Sequence, residues 1–290
     1  MQVSVFTPTY NRAHLLLRLY EALCKQTFRD FEWVIVDDGS VDDTKNLILS
    51  FLNREGTFFP IRYFYQENGG KHRAINRGVK EAQGELFFIA DSDDMLPPDA
   101  LEKVARVYDD IKDDAFFAGV CGLDADFKGQ LIGSGLPKSV IDDTSINIRY
   151  KYGVTGDMKE VFRTDVLKEF PFPEIDGENF CPEILVWNRI AAKYKLRFFN
   201  QIAYQAEYQA DGITSSIIKA RMNSPIASMM TYTEMLGYNI PFIQKLKASI
   251  NYWRFCFCTK TAEKPQLGWR YYWTMPIGFL MHKRDQRTVK

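Results

Sequence analysis

Leu86 to Met95 reads LFFIADSDDM, an apolar run that ends in three aspartates within four positions. The run has the length and the unbroken apolar character of a strand buried on both faces. The aspartates repel one another, and an exposed turn can be built from Asn, Ser and Gly instead. The negative charge therefore calls for a partner. An Asp-x-Asp loop can aim two carboxylates at one hard cation, and oxygen ligands suit Mg²⁺ or Mn²⁺. The structural alternative is that an acid caps the helix following Pro97-Pro98-Asp99, which would occupy one side chain of the three.

Upstream, the same alternation repeats. Val3–Phe6 is a short apolar strand ended by Thr7-Pro8-Thr9, and Leu15, Leu16, Leu19, Ala22 and Leu23 recur at helical spacing. Trp33–Val36 is a second strand, stopped by Asp37-Asp38-Gly39-Ser40, and Leu47, Ile48, Phe51 and Leu52 share a helical face. Ile61–Tyr65 is strand-like, and Ile75, Val79 and Ala82 mark a third helix that Gly84 breaks. Strand and helix in alternation predict an α/β fold, a mostly parallel sheet with helices on both faces.

Ligands of such sheets bind beyond the carboxyl ends of the strands. Asp37-Asp38 and Asp91–Asp94 both fall there. For Asp37 and Asp38, spacing alone leaves turn formation and ligand contact open. Ser40 followed by Asp43 predicts a capping box with Ser40 as N-cap. Gly69-Gly70 before Lys71, His72 and Arg73 suits a phosphate at a helix start, or equally a turn with a solvated basic face. It is not a Walker loop, because the spacing and the Ser/Thr are missing.

Downstream, a helix is expected from Leu101 to about Ile111, a strand over Phe116–Leu123, loops and short strands over 124–156, and a helix over Glu183–Tyr194. Residues 216–258 have helical spacing with many aromatics. Gly268–Met281, GWRYYWTMPIGFLM, is apolar and aromatic between basic flanks. Such a tail suits peripheral membrane contact or docking on the core or on a second chain, the latter a homodimer through the C-terminal region. Pro276 argues against one uninterrupted helix there.

Composition narrows the classes. Of 290 residues 46% are apolar, enough for a large core, and 37 basic residues balance 37 acidic ones, which gives no sign of nucleic acid as a partner. Five scattered cysteines and three distant histidines form no zinc spacing. The start MQVSVFTPTYNR lacks a basic region before a long apolar stretch, so no signal peptide is expected. With no run near the ~18 apolar residues of a membrane span, the expected place is the cytoplasm or the inner face of the cell membrane.

Four segments in order, SVFTPTYNR, VIVDDGSVDDT, NGGKHRAINRG and ADSDD before PPDAL, together resemble the family-2 glycosyltransferases of the GT-A fold, over roughly residues 1–210. The resemblance implies a catalytic domain over 1–215, with a donor half (1–100) and an acceptor half (101–215), and a helical region over 216–290. It implies metal-dependent, inverting transfer of one sugar from a nucleotide-sugar, commonly UDP-linked, to a hydroxyl of a saccharide or lipid-linked saccharide, as in cell-surface polysaccharide or glycolipid synthesis. Pro8, Thr9 and Tyr10 would line the nucleoside pocket and Asp38 would meet the uracil edge. Lys71 and Asn76 would lie near the donor, Asp91 would contact ribose or sugar, and Asp93, with Asp94, would bind the metal.

The family takes its base from a Glu-Asp pair opening a helix before a Trp. In CPEILVWNRI, aligned on Trp187, Glu183 stands in place of the Asp and Pro182 in place of the Glu. Glu183 is then the expected base and Glu178 the fallback. The Gln-x-x-Arg-Trp signature of processive polymerases is absent. Competing functions are a nucleotidyltransferase, which would carry a Gly-rich basic loop where this chain has TPTYNR, and a nucleotide-sugar-binding module without catalysis.

Overall fold

The computed structural model describes residues 1–52, 54–206, 216–261 and 263–288. The chain divides into two units, Met1–Pro171 with Lys193–Glu207, and Phe172–Ala192 with Tyr208–Lys290. The segment 172–192, which carries Glu183, thus belongs with the C-terminal helices, whereas the sequence had it in the acceptor half. The expected boundary at 215/216 borders residues 207–215, which lie outside the described residues.

The first unit is built on one eight-stranded sheet. Its strands are β1 (Val3–Thr9), β2 (Phe31–Asp37), β3 (Ile61–Tyr65), β4 (Leu86–Ile89), β5 (Phe117–Ala125), β6 (Val140–Asp143), β7 (Met158–Arg163) and β8 (Lys195–Gln205). Their order is β3-β2-β1-β4-β7-β5-β8-β6. β1 pairs in parallel with β2 and β4, β2 with β3, and β5 with β8, while β7 runs antiparallel between β4 and β5 and β6 antiparallel to β8. The α/β sheet, mostly parallel, is the one that the alternation of strand and helix predicts.

Seven consecutive buried residues in each of β1 and β2 show why these strands read as apolar runs without alternation. Helices α1 (Ala13–Cys24), α2 (Thr44–Leu52), α3 (Lys71–Glu81) and α4 (Ala100–Asp109) follow the first four strands. Leu16, Leu19 and Leu23 of α1 and Leu101, Val104 and Tyr108 of α4 join one core with Val5, Trp33 and Phe88 of the sheet. Helix α3 lies so close to β1 that a Cβ at Gly78 would stand 2.1 Å from the Phe6 ring. That approach fixes the start of α3, and with it Lys71.

Two strands escape the sequence patterns. β7, MKEVFR, carries Lys159 and Glu160 in its middle, and β8, KLRFFNQIAYQ, mixes polar and aromatic positions. Neither looks like a buried run, yet together with β5 they complete the sheet beside β4. Beyond β5, the short α5 (Ser145–Tyr150) and α6 (Thr164–Glu169) frame β7.

The second unit holds α7 (Glu183–Ala191), α8 (Ile217–Asn223), α9 (Pro225–Met235), α10 (Phe242–Cys256), a 3₁₀ turn (Trp269–Thr274) and α11 (Met275–Thr288). Met229, Tyr252, Cys256, Leu267 and Tyr271 form its own core. Pro276 does not interrupt the tail's helix. It is the second residue of α11, in the first turn, where its missing N–H has no intrahelical partner to lose. Among the described residues no helix is long and apolar enough to cross a membrane.

Candidate active site

The sheet order changes direction at β1, whose neighbours are β2 on one side and β4 on the other. A crevice at such a switch point, at the carboxyl ends, is where open α/β sheets take ligands. Pro8 and Thr9 end β1 there, both buried, and Tyr10 follows them 48% exposed. The hydroxyl of Thr9 is buried with no hydrogen-bond partner among the described residues. Asn11 takes a left-handed backbone (φ 53°) and ties this loop to the one after β2. Its amide donates to Ser40 Oγ at 2.8 Å, and its side-chain oxygen accepts from the Val41 amide at 2.9 Å.

Ser40 is therefore spent on Asn11 and is not the cap of α2. Asp42 instead accepts from the amide of Thr44, the first residue of α2, at 3.1 Å. Asp37 accepts from the Ser40 amide and from the Tyr63 hydroxyl, both at 2.8 Å, and so forms the turn. Asp38 is buried and holds the next loop. Its Oδ1 accepts from Gln66 Nε2 (2.7 Å) and the Gly69 amide (3.0 Å), and its Oδ2 from the Gly70 amide (2.7 Å) and Asn68 Nδ2 (3.3 Å). A carboxylate offers about four acceptor positions. All four are engaged within the chain, so a uracil edge would have to displace one of them.

This bonding places Gly70 (φ 96°) as the N-cap of α3 and sends Lys71 toward the acidic loop. Lys71 Nζ lies 2.8 Å from both carboxylate oxygens of Asp91. Asn76, on the same helix, is half-buried. The structure thus brings Lys71 and Asp91 together.

The loop of Asp91, Ser92, Asp93 and Asp94 is clamped from β8. The Asp91 amide donates to the Tyr204 hydroxyl at 2.7 Å, and that hydroxyl also serves the Asp94 carboxylate. At the far end Met95 and Gln205 exchange backbone hydrogen bonds at 2.9 Å. Beneath them Lys159 of β7 donates to the Ile89 carbonyl at 3.0 Å, with its ammonium 3.4 Å from the centre of the Tyr204 ring. Arg18 donates to the Asp93 carbonyl.

Burial works against every charge in this loop. For Asp91 the ammoniums of Lys71 and Lys159 outweigh burial and hold the carboxyl below its ordinary range. Asp93 is raised, by burial first and by the Asp91 charge second. Asp94 is pushed up to about 7, by burial and then by Asp91, with Lys159 opposing. Crowded carboxylates whose charged forms are disfavoured by burial and by a neighbouring charge gain from a nearby cation.

No group of three or more His, Cys, Asp or Glu among the described residues could by itself hold a metal ion. Asp93 and Asp94 offer two oxygen-donor side chains while Asp91 is paired with Lys71. This set fits a hard divalent ion that draws its remaining ligands from a diphosphate and water.

Sequence reasoning missed three contributors. Tyr204 and Lys159 lie on strands without a recognisable pattern. Asp124, at the carboxyl end of β5, is buried and pushed up to about 6 by burial, with Lys159 opposing and Asp157 adding to the shift. Its Oδ1 has no hydrogen-bond partner among the described residues. A lone Asp in a Gly-rich stretch gives no signal of this.

Glu183 and Glu178 belong to the second unit. Glu183 is the first residue of α7, after Pro182 as N-cap, and is half-buried. Glu178 accepts from the Ile226 amide at 2.6 Å and the Ala227 amide at 2.9 Å, which caps the start of α9. Trp187, on which the segment was aligned, packs edge-on against Phe172 at 5.6 Å.

The family model described as Glycosyl transferase family 2 matches residues 4–131, the span from β1 past β5 that carries the loops above. Residues 4–131 belong to glycosyltransferase family 2. A similar protein is the poly(ribitol-phosphate) beta-N-acetylglucosaminyltransferase TarS of Staphylococcus aureus, 30% identical over 183 residues, which are 60% of this chain and 30% of TarS. The glycosyltransferase GlyG of Streptococcus pneumoniae is 36% identical over 101 residues, 34% of this chain and 33% of GlyG. The chain spans about a quarter to a third of the length of these curated relatives.

Among solved structures, residues 1–349 of TarS in complex with UDP-GlcNAc align with a TM-score of 0.65 at 22% identity, covering 89% of this chain and 72% of that one. The mannosyltransferase PcManGT of Pyrobaculum calidifontis, in complex with GDP-Man and Mn²⁺, aligns with a TM-score of 0.58 at 17% identity, covering 99% and 75%. The family-2 domain therefore has the GT-A fold.

Proposed function

We propose that this protein moves one sugar from a nucleotide-sugar, UDP-linked, to an acceptor hydroxyl with inversion, in the synthesis of a cell-surface polysaccharide or glycolipid. The observation that carries this reading is the crowding of Asp93 and Asp94 at the switch point of the sheet, next to a lysine that opens α3. Asp93 and Asp94 would hold Mn²⁺ or Mg²⁺, which supplies neutralisation of the charge gathering on the departing diphosphate. Lys71 adds a fixed positive charge at a helix N-terminus, where phosphate is favoured. Tyr10 offers an exposed ring for the base, and the bonds of Asp38 keep the loop before Lys71 in shape. Tyr204 and Lys159 hold the aspartates in register.

Inversion in one displacement needs a base for the acceptor hydroxyl. We assign that proton to Glu183, because both oxygens of Glu178 are taken by amides of α9. Glu183→Gln should keep UDP binding and lower transfer by roughly 10²–10⁴-fold. Near-normal transfer in that variant would remove Glu183 from the role.

The reading is tested by incubating the protein with Mn²⁺ and UDP-GlcNAc or GDP-mannose, the donors named with the two aligned structures, and measuring release of the nucleoside diphosphate. Release from the UDP donor that needs Mn²⁺ and rises with a saccharide acceptor is expected. Release of pyrophosphate would instead mark a nucleotidyltransferase, and binding without turnover a module that only holds its ligand.

A further inference from the structure

The tail of the second unit carries a surface that the transfer reading does not use. α11 is held against α10 by Gly278, His282 and Asp285, all buried. A Cβ on Gly278 would stand 2.4 Å from Trp253 Cβ, so the two helices touch at the backbone there. Arg254 of α10 makes a two-pronged pair with Asp285, its Nη2 2.8 Å from Oδ1. His282 Nδ1 lies 3.1 Å from the Arg254 carbonyl. Those contacts decide which side of α11 faces outward.

Helical spacing from Trp273 runs through Ile277, Leu280, Arg284 and Arg287, at steps of four, three, four and three, and all five are exposed. Leu280 is 68% exposed, and Trp269, on the preceding 3₁₀ turn, is 85% exposed beside Tyr272 at 50%. Isolated apolar residues on a surface need no explanation, but a contiguous stripe with two tryptophans does. The stripe is apolar at its N-terminal half and basic at its C-terminal half, with Lys283 exposed alongside.

Charge identifies the occupant. Between Lys264 and Lys290 the sequence has six lysines and arginines and one acid, Asp285, in a chain whose overall charge is zero. That acid is buried against Arg254, so no exposed carboxylate of this segment offsets its basic residues. A second copy docking through the same patch would set this positive surface against itself about a two-fold axis. An anionic lipid surface complements it, and Trp and Tyr rings settle at the level of lipid headgroups.

We propose that the outward face of the 3₁₀ turn and α11 docks the protein on an anionic membrane surface. Trp269, Trp273, Ile277 and Leu280 enter the interface, and Lys283, Arg284 and Arg287 meet lipid phosphates. The face lies flat on one leaflet, and the proposal stands or falls independently of the transferase reading.

The test is co-sedimentation of the full chain with phosphatidylcholine vesicles containing phosphatidylglycerol, compared with pure phosphatidylcholine. Binding should be roughly tenfold or more weaker without the anionic lipid, and should fall as salt is raised. The Arg284→Glu, Arg287→Glu double variant should lose the preference for the anionic vesicles. The Trp273→Ser, Leu280→Ser double variant should lose binding to them, with an unchanged circular dichroism spectrum. In the unaltered protein, brominated lipid in the anionic vesicles should quench tryptophan fluorescence, a readout that does not depend on any variant folding. Absence of both sedimentation and quenching would overturn the proposal. So would a concentration-dependent dimer that the Trp273→Ser, Leu280→Ser variant dissolves, because the face would then belong to a second copy.

Discussion

VDDGS after β2 and ADSDD after β4 are alike on paper, two acidic clusters at the carboxyl ends of parallel strands. In the fold they are opposites. Asp37 and Asp38 are satisfied from within the chain, with six hydrogen bonds from the turn at Ser40, from Tyr63 and from the loop Gln66–Gly70. The Asp93 and Asp94 carboxyls are instead raised, by burial first and by the Asp91 charge second, so their charged forms sit at a cost that a cation would relieve. A carboxylate engaged by four donors of one loop shapes the backbone, whereas a buried one beside another charged carboxylate gains from a cation. Counting aspartates does not separate the two roles, but the charges around them do.

The contrast can be broken at its strongest point by Asp93→Ala. Loss of one oxygen ligand from a pair should cut transfer by roughly 10²–10³-fold, the scale for removing one electrostatic contributor to a transition state. The melting temperature should hold, because the half-buried side chain supports little packing. Steady-state turnover and thermal melting, run together, check both halves. A stable variant with unimpaired transfer would make the acidic loop as structural as the one after β2.

Asp38→Ala should behave the other way round. It leaves the Gly69 and Gly70 amides and Gln66 without their acceptor, while Asn68 keeps its 2.8 Å bond to the backbone carbonyl of position 38, a loss of about 2–3 kcal/mol of stability when partial access to water is allowed for. Denaturant unfolding reads this directly. Donor affinity should weaken only as a consequence of the loosened loop, and Asp38→Asn, which keeps some acceptors, should recover part of the stability. A variant as stable as the parent but unable to bind UDP would return Asp38 to the uracil edge.

The smallest effect is expected from Tyr204→Phe. The ring still stacks under Lys159, but the Asp91 amide and the Asp94 carboxylate lose the hydroxyl between them. If about half of the ~1–3 kcal/mol that two hydrogen bonds contribute is felt in the transition state, kcat/KM falls by up to about tenfold. The loss should lie in transfer and in the Mn²⁺ concentration needed for half-maximal rate, with little change in melting temperature. Equal metal requirements in variant and parent would show that β8 does not set the loop's geometry.

Much of this was legible in the chain. Buried strands β1, β2 and β4 are continuous apolar runs, and Gly, Pro and Asp mark where they stop. The pairing of Lys71 with Asp91 follows from neither segment alone, because it depends on the close approach of α3 to β1 at Gly78. β7 and β8 were not legible, since Lys159, Glu160 and Tyr204 are polar groups whose burial makes sense only beside the acidic loop they support. The capping role given to Ser40 failed because its hydroxyl is claimed by Asn11, across a gap of 29 positions. At α7 the motif around Trp187 was visible, but the commitment of Glu178 to the amides of α9 was not.

The Asp91–Asp94 loop should bind a divalent ion together with a nucleoside diphosphate. Calorimetric titration of UDP into the protein, with Mn²⁺ and with the metal chelated away, tests this most directly. Mn²⁺ should tighten UDP binding by at least about tenfold, roughly 1.4 kcal/mol, and Asp93→Ala should abolish this gain while Asp38→Ala preserves it. UDP affinity that is the same with and without the metal in the unaltered protein would rule out a metal role for this loop.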